Sequence, residues 1–145
     1  MPPKNYVLID FENVQPKNLE ILSQHSFKII VFVGENQTKL PFDLVAGIQE
    51  FGSDAKYVKI SGNGKNALDF HVAYYIGKLA AEEPGAYFHI ISKDTGLFYF
   101  ISHFFEMYSF FFFVIPGLNF ITFSYSSIIN SRNRFSCCWG TTKLS

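Results

Sequence analysis

Four short apolar runs are spaced through the first two thirds of this 145-residue chain, each followed by a polar loop and a helical segment. Tyr6-Val7-Leu8-Ile9 ends at Asp10, and residues 27–33 form an apolar run closed by Gly34. Tyr57-Val58-Lys59-Ile60 leads into Ser61-Gly62-Asn63-Gly64-Lys65, and Tyr87-Phe88-His89-Ile90-Ile91 runs into Ser92-Lys93-Asp94-Thr95-Gly96. Such runs suit buried parallel strands. Between them, Pro16 opens a helix to about Gln24. Pro41 opens another, with Leu44, Val45, Ile48 and Phe51 on one side and Gly52 as its stop. Asn66 stands as the N-cap of a third, where Leu68, Val72, Tyr75, Ile76 and Leu79 recur at helical spacing up to Pro84-Gly85. Alternation of this kind predicts right-handed crossovers and a mainly parallel sheet between two helix layers, a doubly wound three-layer α/β/α domain.

The composition changes abruptly after residue 94. Residues 1–94 carry nine Lys, no Arg and eleven acids, a balance of −2. Residues 95–145 carry Arg132, Arg134, Lys143 and the single acid Glu106, a balance of +2, with 15 of the 27 aromatic residues. The whole chain is therefore neutral, and no overall basic field draws it to nucleic acid or an acidic membrane. Its 48% hydrophobic content excludes disorder of the chain as a whole. The adjacent Cys137 and Cys138 make neither a disulfide framework nor a metal knuckle, and no signal-peptide pattern opens the chain, so a reducing cytoplasm is expected.

Ligands of open α/β sheets bind beyond the carboxyl ends of the strands, where the winding reverses. Asp10 and Asp94 stand at two such ends, and Asp69 lies in the first turn of the helix before the fourth strand. If the first and fourth strands are neighbours, the three meet at one cleft. Carboxylates without Cys or clustered His form a hard oxygen site suited to Mg²⁺ or Mn²⁺. Phosphodiester hydrolysis is the chemistry such a site serves best. Each acid also has an ordinary structural reading: Asp10 as an Asx turn, Asp69 as a helix-start charge, Asp94 as a turn or cap.

Three blocks in order, Tyr6-Val7-Leu8-Ile9-Asp10-Phe11-Glu12-Asn13-Val14, Gly64-Lys65-Asn66-Ala67-Leu68-Asp69-Phe70-His71 and Ile91-Ser92-Lys93-Asp94-Thr95-Gly96, resemble PIN-like nuclease domains. The likeness is to the bacterial PIN-like group related to NYN domains, and it covers residues 5–96. It implies a metal-dependent ribonuclease with Asp10, Asp69 and Asp94 as metal-binding acids. By the same resemblance Asn13 helps to hold the site, and Ser92 and Thr95 orient the Asp94 loop. In this family the third block usually continues with Phe-Asp, the second residue being a fourth acid. Here Leu97 and Phe98 take those places, and Glu106 lies about two turns further on. Loss of one carboxylate weakens binding of a second metal and impairs activity. A catalytically inactive module that binds RNA or protein is the other expectation.

Gly62-Asn63-Gly64-Lys65 fails the Walker pattern, since Lys59 stands five before Gly64 and Asn66 follows the lysine. Lys65 and Lys93 flank the acids and are read as phosphate contacts, or equally as solvated lysines. The polar loop 34–39 lies at the same sheet edge, and the four histidines show no ligand spacing. Residues 1–96 are expected to form the core, 97–118 its last helix and strand, and 119–145 a tail without periodicity. Residues 107–131 hold no charged side chain, long enough for a membrane anchor but interrupted by Pro116, Gly117 and Asn119. A degenerate or out-of-frame C-terminus and a native strand with its tail are the other two readings. RNA is the expected partner, without a small-molecule cofactor or a membrane; homo-oligomerisation stays open.

Overall fold

A computed structural model describes residues 2–16, 19–23, 25–106, 111–115 and 120–124. In chain order it has β1 (Asn5–Asp10), α1 (Glu20–Ser23), β2 (Phe27–Val33), α2 (Phe42–Gln49), a 3-10 turn at Gly52–Asp54 and β3 (Ala55–Lys59). Then follow α3 (Ala67–Glu82), β4 (Tyr87–Ile91), α4 (Thr95–Glu106), β5 (Phe111–Ile115) and β6 (Phe120–Ser124). The strands form one sheet in the order β3-β2-β1-β4-β6-β5. The first four are parallel, and β6 joins β4 and β5 antiparallel.

β1 lies between β2 and β4, with Ile9 beside Val31 on one side and Ile91 on the other. Val7, Leu8 and Ile9 are fully buried because the sheet is covered on both faces. Tyr6, Leu8, Ile30, Phe32, Phe88 and Ile90 turn to one face and pack with Leu68, Val72 and Ile76 of α3 and with Leu97 and Ile101 of α4. Val7, Ile9, Ile29 and Val31 turn to the other, against Leu19, Leu22, Leu44 and Ile48. Each such aliphatic side chain stabilises the fold by about 1.5–3 kcal/mol relative to exposure. The three-layer α/β/α architecture read from the sequence is the one observed. The adjacency of the first and fourth strands, on which convergence of the acids depends, holds as well.

Several boundaries differ for local reasons. The helix expected from Pro16 to Gln24 is one turn, Glu20–Ser23. β3 starts at Ala55, two residues early, because the ladder pairs Ala55 with Ile29. As an edge strand it needs no continuous apolar run, which explains Lys56 and Lys59. Asn66 is at the N-cap of α3, but its side chain makes no capping bond at φ −115°, ψ 19°. β6 lies where the sequence shows no periodicity, and it makes the sheet mixed. The remainder of the 107–131 segment, Arg132, Arg134 and the two cysteines lie outside the described residues. Among the described residues no helix is long and apolar enough to cross a membrane.

Candidate functional site

β1 delivers Asp10 to the carboxyl edge of the sheet, and the parallel register with β4 sets Ser92 beside it. Asp10 is 1% exposed, and its carboxylate is held by three donors. Ser92 Oγ donates to Oδ2 at 2.6 Å, Asn13 Nδ2 to Oδ2 at 2.8 Å, and the Asn13 backbone N–H to Oδ1 at 3.2 Å. The chain turns tightly here, since Val14 N–H also reaches the Asp10 carbonyl at 3.0 Å. The fully buried Ser92 gives its proton to Asp10 and accepts the Asp94 backbone N–H at 3.0 Å. Its hydroxyl thus ties the two acidic strand ends together.

Asp94 accepts the Gly96 N–H on Oδ1 at 2.8 Å and so caps the start of α4. A Cβ on Gly96 would meet that same oxygen at 3.0 Å, so a larger residue there would press the Asp94 carboxylate out of place. Thr95 opens α4, and it is the Gly96 amide that holds the Asp94 carboxylate. The structural readings of Asp10 as a turn and Asp94 as a cap are both realised, yet both acids still sit at the carboxyl edge of the sheet.

Asp69 comes to the same place from the first turn of α3 and is 9% exposed. Its carboxyl is pushed up to about 6, first by burial and then by the negative charges of Asp94, Asp10 and Glu12. Glu12 is the acid that sequence reasoning missed. Its carboxylate lies against Gly34, where a Cβ would be 3.1 Å from Oε2, so the bare backbone of the β2 end makes room for it. The signal was inside the first block, two residues past Asp10. The side chains of Phe98 and Glu106, where a fourth acid was sought downstream, lie outside the described residues.

A cavity of about 470 Å³ opens over this edge, lined by Glu12, Asp69, Asp94, the loop 34–37 and the loop 62–65. Lys65 lines it, whereas Lys93 is exposed outside the lining. Asp10 is buried and outside the lining, while Asn13, which donates to it, is part of the lining. Glu12, Glu35, Asp69 and Asp94 face one lysine, so the cavity repels a phosphate unless a cation intervenes.

The donor set fits a hard divalent cation: carboxylate and amide oxygens, with repulsion that a cation relieves. In the present side-chain positions, no three acids, histidines or cysteines among the described residues are grouped to hold one ion. Asp10 accepts hydrogen bonds from Asn13 and Ser92, and Asp94 from the start of α4.

Comparison with protein families matches residues 4–107 to a PIN domain. The chain belongs to the PIN domain family. The match reaches past the sequence resemblance to include all of α4. Neither a curated protein nor a solved structure matches significantly. PIN domains are generally metal-dependent nucleases, and the acids at the β1 and β4 ends occupy the sheet edge where such chemistry belongs.

Proposed function

We propose that this PIN domain is an endoribonuclease that hydrolyses RNA phosphodiesters with Mg²⁺ or Mn²⁺ held by Asp10, Asp69 and Asp94, with Glu12 as a fourth carboxylate. The observation that carries the reading is the convergence of Asp69, Asp94 and Glu12 on one cavity beside the buried Asp10, where burial and the neighbouring acids raise the Asp69 carboxyl. Such crowding destabilises the fold and finds its use in binding a cation. When bound, the cation supplies a lowered pKa for water and charge stabilisation for the phosphate and leaving oxygen. The protein's own part is to hold the acids. Asn13 and Ser92 fix Asp10, Ser92 links Asp10 to the Asp94 loop, and Lys65 stands on the rim where a phosphate oxygen would approach. Lys93, exposed beside Asp94, is a second phosphate contact in this reading.

A second reading, RNA binding without cleavage, draws on the bonds that keep Asp10 and Asp94 turned to protein donors. One experiment separates the two. Single-stranded RNA is incubated with the intact chain and Mg²⁺ or Mn²⁺, with and without excess EDTA, beside Asp10→Asn and Asp94→Asn. The nuclease reading expects cleavage abolished by EDTA and reduced by about 100-fold or more in each variant. Cleavage that persists in EDTA or in both variants overturns it, and binding without cleavage by the unmodified chain establishes the second reading.

A further inference from the structure

One wall of the cavity is fixed by hydrogen bonds that involve none of the acids. Lys59, the last residue of β3, donates its ammonium to the Gly34 carbonyl at 2.7 Å and to the Gln37 carbonyl at 2.5 Å. Gln37 N–H in turn reaches the Gly34 carbonyl at 3.0 Å, and Ile60 N–H bonds the Val33 carbonyl at 2.9 Å just below. The loop after β2 is thereby pinned at both ends to the neighbouring strand. It presents Asn36 and Gln37 to the cavity, and Asn63 lines it from the next loop.

Two features show what such a wall recognises. Among the described residues no aromatic side chain lines the cavity, so none of them grips a base there by ring stacking. The alternative physics for an unpaired base is hydrogen bonding to its edge, for which neutral amides carry both donors and acceptors. In addition, Gln37 Oε1 is buried without a hydrogen-bond partner among the described residues. A buried acceptor without a donor is costly, and natural structures keep few of them. Gln37 lines the cavity, and a rotation of its side chain would carry this acceptor out to meet the exocyclic amine of a nucleobase, the kind of donor it lacks. A cavity of about 470 Å³ is within the range that holds one nucleotide.

We infer that the pinned 34–37 loop is a base-reading wall, in which Gln37, with Asn36 and Asn63, hydrogen-bonds the edge of one unpaired, amine-bearing nucleobase of the RNA. Lys59 is a positioning residue: it touches no substrate and acts by fixing the loop. The inference rests on RNA as the ligand of the proposed nuclease site, but it concerns which base is accepted rather than whether the bond is cut.

Fluorescence anisotropy tests it with labelled oligo(A), oligo(C) and oligo(U) of equal length, added to the Asp10→Asn chain in Mg²⁺ so that binding is read without cleavage. Oligo(A) and oligo(C) should bind about tenfold more tightly than oligo(U). Gln37→Ala should lower their affinity to the oligo(U) level and leave oligo(U) unchanged. Lys59→Ala should reduce the discrimination, and Lys59→Arg should restore it, a rescue that general loosening of the fold would not give. Equal binding of the three oligonucleotides, absence of binding, or an equal loss for all three in Gln37→Ala overturns the inference. Discrimination in binding, together with no cleavage by the unmodified chain, supports the wall while removing the nuclease reading.

Discussion

Asp69 carries a proton more tightly in the folded chain than in the unfolded one, with its carboxyl raised from 3.8 to about 6. Folding therefore binds a proton through that window, and stability contributed by the neutral form is lost as pH rises from about 4 to about 6. Solvent in the cavity screens part of the repulsion, so the loss is on the order of 1 kcal/mol. Asp69→Asn should abolish activity and yet be more stable than the parent in EDTA near neutral pH. Urea denaturation at about pH 4.5 and about pH 7.5 measures this. Equal stability of parent and variant at the higher pH contradicts it, as does a Mg²⁺ stabilisation undiminished in the variant. Asp10, Asn13, Ser92 and Asp94 were legible in the sequence because each lies within a short block at a strand end. Glu12 was not. Its place in the site depends on the closeness of Gly34, which belongs to another strand.

β4 is the element where sequence pattern and packing differ most instructively. Phe88 and Ile90 are buried toward α3 and α4, while His89 turns to the opposite face and lies edge-on to Phe27 at 5.4 Å. Its Nε2–H donates to Asn5 Oδ1 at 3.1 Å, and burial pushes the imidazole down to about 4 from an ordinary 6.5. The folded chain here binds fewer protons than the unfolded one. Stability is thus lost as pH falls from about 6.5 towards 4, by on the order of 2 kcal/mol. This is opposite in sign to Asp69 over nearly the same window, so the parent's pH dependence is flattened. His89→Gln should expose the Asp69 limb: its Tm should rise relative to the parent as pH falls from about 6.5 to about 4.5. Thermal unfolding followed by circular dichroism checks it, and a constant Tm difference between variant and parent across that range refutes it. The strand itself was readable from its apolar run, as were β1 and β2. The β3 start was less so, because an edge strand answers to ladder pairing with Ile29–Val33 rather than to burial on both faces.

Across the whole molecule, the charge balance and the family match divide the chain at nearly the same point, while the sheet does not. The first 94 residues hold nearly all the acids, and the PIN domain match ends at residue 107. Beyond it, β6 pairs with the full length of β4, from Tyr87 opposite Ser124 to Ile91 opposite Phe120, and β5 closes the edge. β5 falls within the 97–118 segment read as the last helix and strand, whereas β6 and its place beside β4 were not legible: an apolar run without charges gives strand propensity but no partner, and antiparallel addition to β4 is a long-range choice. The ladder nevertheless makes a definite demand. A chain ended after Glu106 leaves β4 as an open edge beside the buried Phe88 and Ile90, the arrangement that templates pairing with other chains. Residues 1–106 alone should therefore show a lower Tm than the full chain. They should also self-associate in a concentration-dependent way, seen by light scattering. β1, which carries Asp10, pairs with the other edge of β4 and is not touched by this shortening, so whatever activity the full chain has should persist in the soluble fraction. A shortened chain that is monomeric and keeps the parental Tm would instead show that β4 needs no cover, and that the acidic α/β core is a self-sufficient unit.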